Sequence, residues 1–120
     1  MTPSAFSLAV YGIYLLANGV GLAIAPSVLL ALLGLPPTEE PWIRVLGLVA
    51  GEIGFYFLFA ARKGISSFFP ATVYGRGAAT LVFLALVVFK LGPVQLLLFA
   101  AVDLLTAIWT HLAIKRERTV

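Results

Sequence analysis

Residues Trp42 to Arg62 read WIRVLGLVAGEIGFYFLFAAR, an almost unbroken apolar run with one acid, Glu52, near its middle. About 20 such residues, each rising 1.5 Å along a helix, match one crossing of a bilayer hydrocarbon core. A carboxylate at the centre of a span is expensive to insert, so Glu52 is expected to face a bundle interior and to find a partner there. The rest of the chain reads as three more spans that surround Glu52 and supply that partner.

Composition points the same way. Of the 120 residues 62% are hydrophobic and 11% charged, whereas a soluble domain is roughly half apolar and a quarter charged. The default is a single transmembrane domain over residues 1–120 with the lipid bilayer as its surroundings. The net charge of +3 is small. Its basic residues cluster at segment ends, where they act as topology signals rather than as a nucleic-acid surface, so no nucleic-acid partner is expected. With no cysteine, disulfides, thiolate metal sites and thiol nucleophiles are excluded. No phosphate-binding loop, HExxH pair or metal-ligand cluster occurs, so neither a metal nor a cofactor is indicated. Strand-type alternation is never sustained, which argues against a barrel.

The first span covers roughly residues 5–25. It lacks the positive start of a signal peptide. Pro26 directly after Ala23-Ile24-Ala25 is a poor cleavage context, so this span is read as uncleaved. Residues 26–33 are too short to cross and are expected to form an interfacial helix opened by Pro26 and closed by Gly34. The loop LPPTEEP follows, with Thr38 as a candidate cap and Glu39 and Glu40 near the positive end of the next helix. Span two is residues 42–62, span three about 68–89 and span four about 94–114, joined by the turns KGISS and Leu91-Gly92-Pro93. The tail KRERTV is expected to fray. The fold class is therefore all-α, an integral membrane four-helix up-down bundle with a short interfacial helix between spans one and two. Arg62, Lys63, Lys115, Arg116 and Arg118 share one side with both termini. The positive-inside rule then puts both termini in the cytoplasm, consistent with a bacterial inner membrane.

Each span carries polar residues at helical spacing. They are Ser7, Tyr11, Tyr14 and Asn18 in span one, Glu52 and Tyr56 in span two, Thr72, Arg76 and Thr80 in span three, and Asp103, Thr106 and Thr110 in span four. Counted along the helices, Glu52 and Asp103 lie about 15 Å from the cytoplasmic end and Arg76 about 12 Å. A planar guanidinium can hold two carboxylates, so a Glu52–Arg76–Asp103 cluster is expected, with Tyr11, Tyr14, Asn18 and Tyr56 filling remaining hydrogen-bond sites. One negative charge in excess would favour uptake of a proton or a cation. The bland alternative is an ionic cluster that only fixes helix register.

Gly47, Gly51 and Gly54 share a face roughly opposite Glu52, and Gly47-xxx-Gly51 is a close-approach pattern. Packing within the bundle is the first expectation and a homodimer face the second, with Ala17 and Gly21 as a candidate mate. His111 is rotated off the face of Asp103 and is read as interfacial. Trp109 is read as an anchor or packing residue.

Gly51-Glu52-Ile53-Gly54, followed by an apolar run and Arg62, resembles the second span of DoxX-like small four-span membrane proteins. That resemblance implies an accessory membrane subunit linked to redox or quinone chemistry. Pro37-Thr38-Glu39-Glu40 is similar to the PxEE motif of small membrane lycopene cyclases over four residues only, and acids at a helix start explain it. Small multidrug-resistance transporters carry their key glutamate in span one, where this chain has none.

Three functions follow. The first is binding of a lipophilic or cationic small molecule, with proton-coupled transport as an optional extension, in a polar interior centred on Glu52, Asp103 and Arg76 and lined by Tyr11, Tyr14, Asn18, Tyr56, Thr72, Thr80, Thr106 and Thr110. The second is an accessory or scaffold subunit of a membrane redox complex. The third is an intramembrane enzyme acting on a lipid or isoprenoid through paired carboxylates. No catalytic residue stands out, which leans away from an enzyme.

Overall fold

The computed structural model describes residues 1–119. Its elements are α1 (Pro3–Ile24), α2 (Pro26–Leu32), α3 (Trp42–Lys63), a 3-10 turn (Ser66–Phe68), α4 (Phe69–Val88) and α5 (Leu96–Thr119). The protein is all-α, with no strand among the described residues. Four of its helices are long and apolar enough to cross a membrane, in the expected order with the short helix between the first two. The expected boundaries differ from these mostly by one or two residues. The largest difference is the tail, which continues α5 as helix to Thr119 instead of fraying.

The helix ends follow from local chemistry. Pro26 sits in the first turn of α2, where its missing N–H costs nothing. Gly34 (φ +71°) and Gly64 (φ +66°) supply the left-handed residue that ends α2 and α3. After each, the chain bonds back into the helix, Leu35 N–H to Leu30 C=O at 2.9 Å and Ile65 N–H to Ala60 C=O at 3.0 Å. Lys90 plays the same part after α4 with φ +58°. Thr38 differs from expectation: its hydroxyl accepts the N–H of Glu40 at 3.2 Å and so closes a turn in the loop rather than capping α3.

Two compact units make up the chain, one of residues 9–59 and one of residues 1–8 with 60–120, and their boundaries fall inside α1 and α3. In the first, α1 and α3 meet backbone to backbone. A methyl group placed on Gly47 would lie 2.6 Å from the Ala23 nitrogen and the Gly19 oxygen. On Gly54 it would lie 2.7 Å from the Gly12 oxygen and the Leu16 nitrogen. The glycine face is thus occupied inside the chain, and its mates are Gly12 and Gly19 rather than Ala17 and Gly21. Packing within the chain, the first expectation for this glycine face, is what α1 provides at Gly47 and Gly54. Arg44, near the start of α3, donates to the carbonyls of Ala23 (2.6 Å) and Ile24 (3.1 Å) at the end of α1. A cation there satisfies orphan carbonyls and complements the negative helix end. Tyr11 is buried, with the rings of Tyr14 and Phe57 each 5.5 Å away.

In the second unit α4 and α5 are joined by residues 89–95, short enough to make them antiparallel neighbours. The buried stripe of α5 is Ala100, Asp103, Ala107, Thr110 and Ala113, and that of α4 is Phe69, Thr72, Arg76 and Thr80. Large apolar side chains such as Leu81, Val88 and Leu105 are exposed. Small and polar inside with large and apolar outside is the reverse of a water-soluble core, and it is the pattern expected of helices solvated by lipid. This is a membrane protein.

Candidate functional site

Arg76 lies seven residues into α4, about 10 Å along its axis. It is 3% exposed. Its Nη2 donates to the hydroxyls of Thr72 and Thr110, both at 3.0 Å, and its Nε donates to the Thr72 carbonyl at 3.2 Å. The Thr72 hydroxyl donates in turn to the carbonyl of Phe69 (2.7 Å), and that of Thr80 to the carbonyl of Arg76 (2.9 Å). Threonines one turn before and after Arg76 thus use up local carbonyls and pin the helix around the charge.

The network continues outside α4. Thr110 Oγ1 and Ser7 Oγ are 2.7 Å apart. The Ser7 proton is committed to the Ser4 carbonyl at 2.7 Å. Thr110 is therefore the donor to Ser7. Ser4 then donates its N–H (2.9 Å) and its hydroxyl (2.7 Å) to the two oxygens of Glu117. From the guanidinium through Thr110 and Ser7 to the Ser4 carbonyl every donor points the same way, so these bonds polarise one another in the same sense. The column joins the first turns of α1, the middle of α4 and the last turns of α5. An arginine stays protonated in proteins, so this column holds charge and orientation rather than passing a proton.

Asp103 is buried at 4% exposure on the same face of α5, one heptad before Thr110. Thr106 is half-buried and donates to the carbonyls of Val102 (2.7 Å) and Asp103 (3.3 Å) of its own helix. Thr72, Arg76, Thr80, Asp103 and Thr110 of the expected site are therefore all buried in this unit. Ser4 and Glu117 were not foreseen. The signal for Glu117 is the heptad Asp103, Thr110, Glu117, hidden by the basic residues around it.

The remaining expected residues lie in the other unit. Tyr11 is buried and Tyr14 half-buried. Asn18 donates its amide to the Tyr14 carbonyl at 2.8 Å, one turn back. Glu52 and Tyr56 are exposed, not turned inward. The reason is local: the glycines on the far side of α3 are what contact α1, which leaves the Glu52 side open. Glu52 has no hydrogen bond or ion pair with any described residue. It lines an open groove of about 400 Å³ with Leu16 and Val20 of α1 and Leu48, Phe55 and Tyr56 of α3, floored by Gly19, Gly47 and Gly51. The rings of Phe55 and Tyr56 stand edge to face, 6.0 Å apart. Among the described residues no group of His, Asp or Glu is arranged to hold a metal ion.

No family model, curated protein or solved structure matches this chain. Its function is therefore argued from these two polar features.

Proposed function

We propose that this membrane protein binds a lipophilic cationic small molecule at the groove beside Glu52. The observation that carries the proposal is an exposed carboxylate at the middle of a membrane-length helix with no hydrogen bond or ion pair to any described residue. Placing such a charge in hydrocarbon costs about 3 kcal/mol on insertion scales. A cationic ligand offsets that cost, and Phe55 and Tyr56 beside it offer ring faces to the same charge. In a transporter, exchange of that cation for another on each cycle would couple binding to flux. The basic residues Arg62, Lys63, Lys115, Arg116 and Arg118 favour cytoplasmic termini in a bacterial inner membrane. In a chain without cysteine, single-cysteine variants at Ser67 and Leu91 test that orientation. Only the Leu91 variant should react with an impermeant maleimide on intact cells.

The central test is equilibrium binding of tetraphenylphosphonium to the purified protein. Wild type should bind, and Glu52→Gln should weaken binding by about tenfold or more, which is about 1.4 kcal/mol. Equal binding by both would sink the proposal. A second function, an accessory subunit of a membrane redox complex, is favoured by the openness of the groove and its glycine floor, which admit a partner helix as readily as a small molecule. It is also what the DoxX-like resemblance implies. Copurification of a stoichiometric partner that Glu52→Gln releases, with no binding of the free cation, would select it. An intramembrane enzyme ranks last, since Tyr56 is the sole other titratable side chain in the groove.

A further inference from the structure

The charges on the last turns of α5 are sorted by face. Glu117 turns toward Ser4 and is held there by two hydrogen bonds. His111, Lys115 and Arg118 follow one another at spacings of four and three, which places them on one side of the helix. All three are exposed, and none has a hydrogen bond or ion pair with another described residue. They border a groove of about 520 Å³ whose other wall is the start of α4, with Val73 and the exposed ring of Tyr74. Ile114 lies between the basic side chains on the same wall.

We propose that this groove is a binding site for one anionic glycerophospholipid. Three features select that occupant. The first is charge: two permanent cations and an imidazole face the groove, and the only nearby acid on α5 is engaged elsewhere. The second is depth. Arg118 is at the end of a membrane-length helix and His111 lies seven residues earlier, so the donors span about 10 Å, enough to cover a headgroup region about 5–8 Å thick. The third is the mixed wall. A phosphodiester takes bonds from Lys115 and Arg118, the Tyr74 ring sits at the level where aromatic side chains favour the interface, and acyl chains descend along Val73 and Ile114. A soluble phosphate would use the cations but leave the apolar wall unfilled.

The test uses the full chain in a zwitterionic detergent, with native mass spectrometry counting retained lipid. Phosphatidylglycerol should be retained at one molecule per chain, about tenfold or more over phosphatidylcholine. The double variant Lys115→Gln/Arg118→Gln should lose that preference. The double variant Arg62→Gln/Lys63→Gln removes the same charge outside the groove and should keep it. Equal loss in both variants would make the effect diffuse electrostatics and overturn the site, as would no loss in either. If glycerol 3-phosphate displaced the lipid at equal concentration, the groove would be a soluble-phosphate site and the lipid assignment would fail. Arg118→Gln alone, scored for partial loss of preference, serves if the double variant does not fold.

Discussion

At the scale of single residues, the column from Arg76 to Glu117 shows how a charge is kept in the middle of a membrane helix. Thr110 accepts from the guanidinium and donates to Ser7, so it satisfies both neighbours. Thr110→Val keeps the shape and removes both roles. The expected cost is about 1–3 kcal/mol, because a charged donor loses an acceptor and Ser7 loses a donor. Ser7→Ala removes the hydroxyl's bonds to Thr110 and to the Ser4 carbonyl but leaves the guanidinium its acceptor, so it should cost less. The double variant should fall short of the sum, since both changes break the same bond. Thermal unfolding in detergent measures all three, and strict additivity would mean that Ser7 and Thr110 are not coupled. Much of this column was legible. Spacing by three and four put Thr72, Arg76, Thr80, Thr106 and Thr110 on inward faces; all are buried except Thr106, which is half-buried. Glu52 read the same way and lies on the open side. Apolar residues surround every face of a lipid-solvated helix, so a polar residue alone does not say which face is inside. The glycines say it, because close backbone contact marks the packed face, and they lie across the helix from Glu52.

Elements were the most legible level, since span length is set by bilayer thickness and ends are set by proline, glycine and charge. What pattern could not supply was the pairing of glycines between helices, which depends on which helix lies alongside. The structure makes the three glycines of α3 unequal. Gly47 and Gly54 have backbone atoms of α1 at 2.6–2.7 Å from where a Cβ would go, whereas at Gly51 the nearest atom is a Leu16 methyl at 3.9 Å. Gly47→Ala and Gly54→Ala should therefore each lower stability by about 1–3 kcal/mol through overpacking. Gly51→Ala should be tolerated or slightly stabilising, because alanine is the better helix former and the site has room. Unfolding in mixed micelles ranks the three. Equal losses at all three positions would refute the close α1–α3 contact as described.

At the scale of the whole molecule, two kinds of charge occur at membrane depth. Arg76 and Asp103 are buried and each has a polar partner, while Glu52 is exposed and without a hydrogen bond or ion pair to any described residue. Their removal should change stability with opposite signs. Asp103→Leu takes a carboxylate from a buried site where it has a polar partner and leaves that partner unsatisfied, which is expected to cost about 3 kcal/mol or more. Glu52→Leu exchanges an exposed acid for a side chain that lipid solvates readily, so the free protein should become more stable, by up to about 3 kcal/mol on insertion scales. A residue that weakens its own fold is kept for something else, which is the usual mark of a functional position. Unfolding measured in lipid nanodiscs, where the surroundings of Glu52 are hydrocarbon, separates the cases. If Glu52→Leu also lost stability, Glu52 would be a structural partner within the fold, and the groove beside it would lose its claim to be the binding site. A gain for Glu52→Leu beside a loss for Asp103→Leu would assign the buried polar residues to the scaffold and the groove to the ligand.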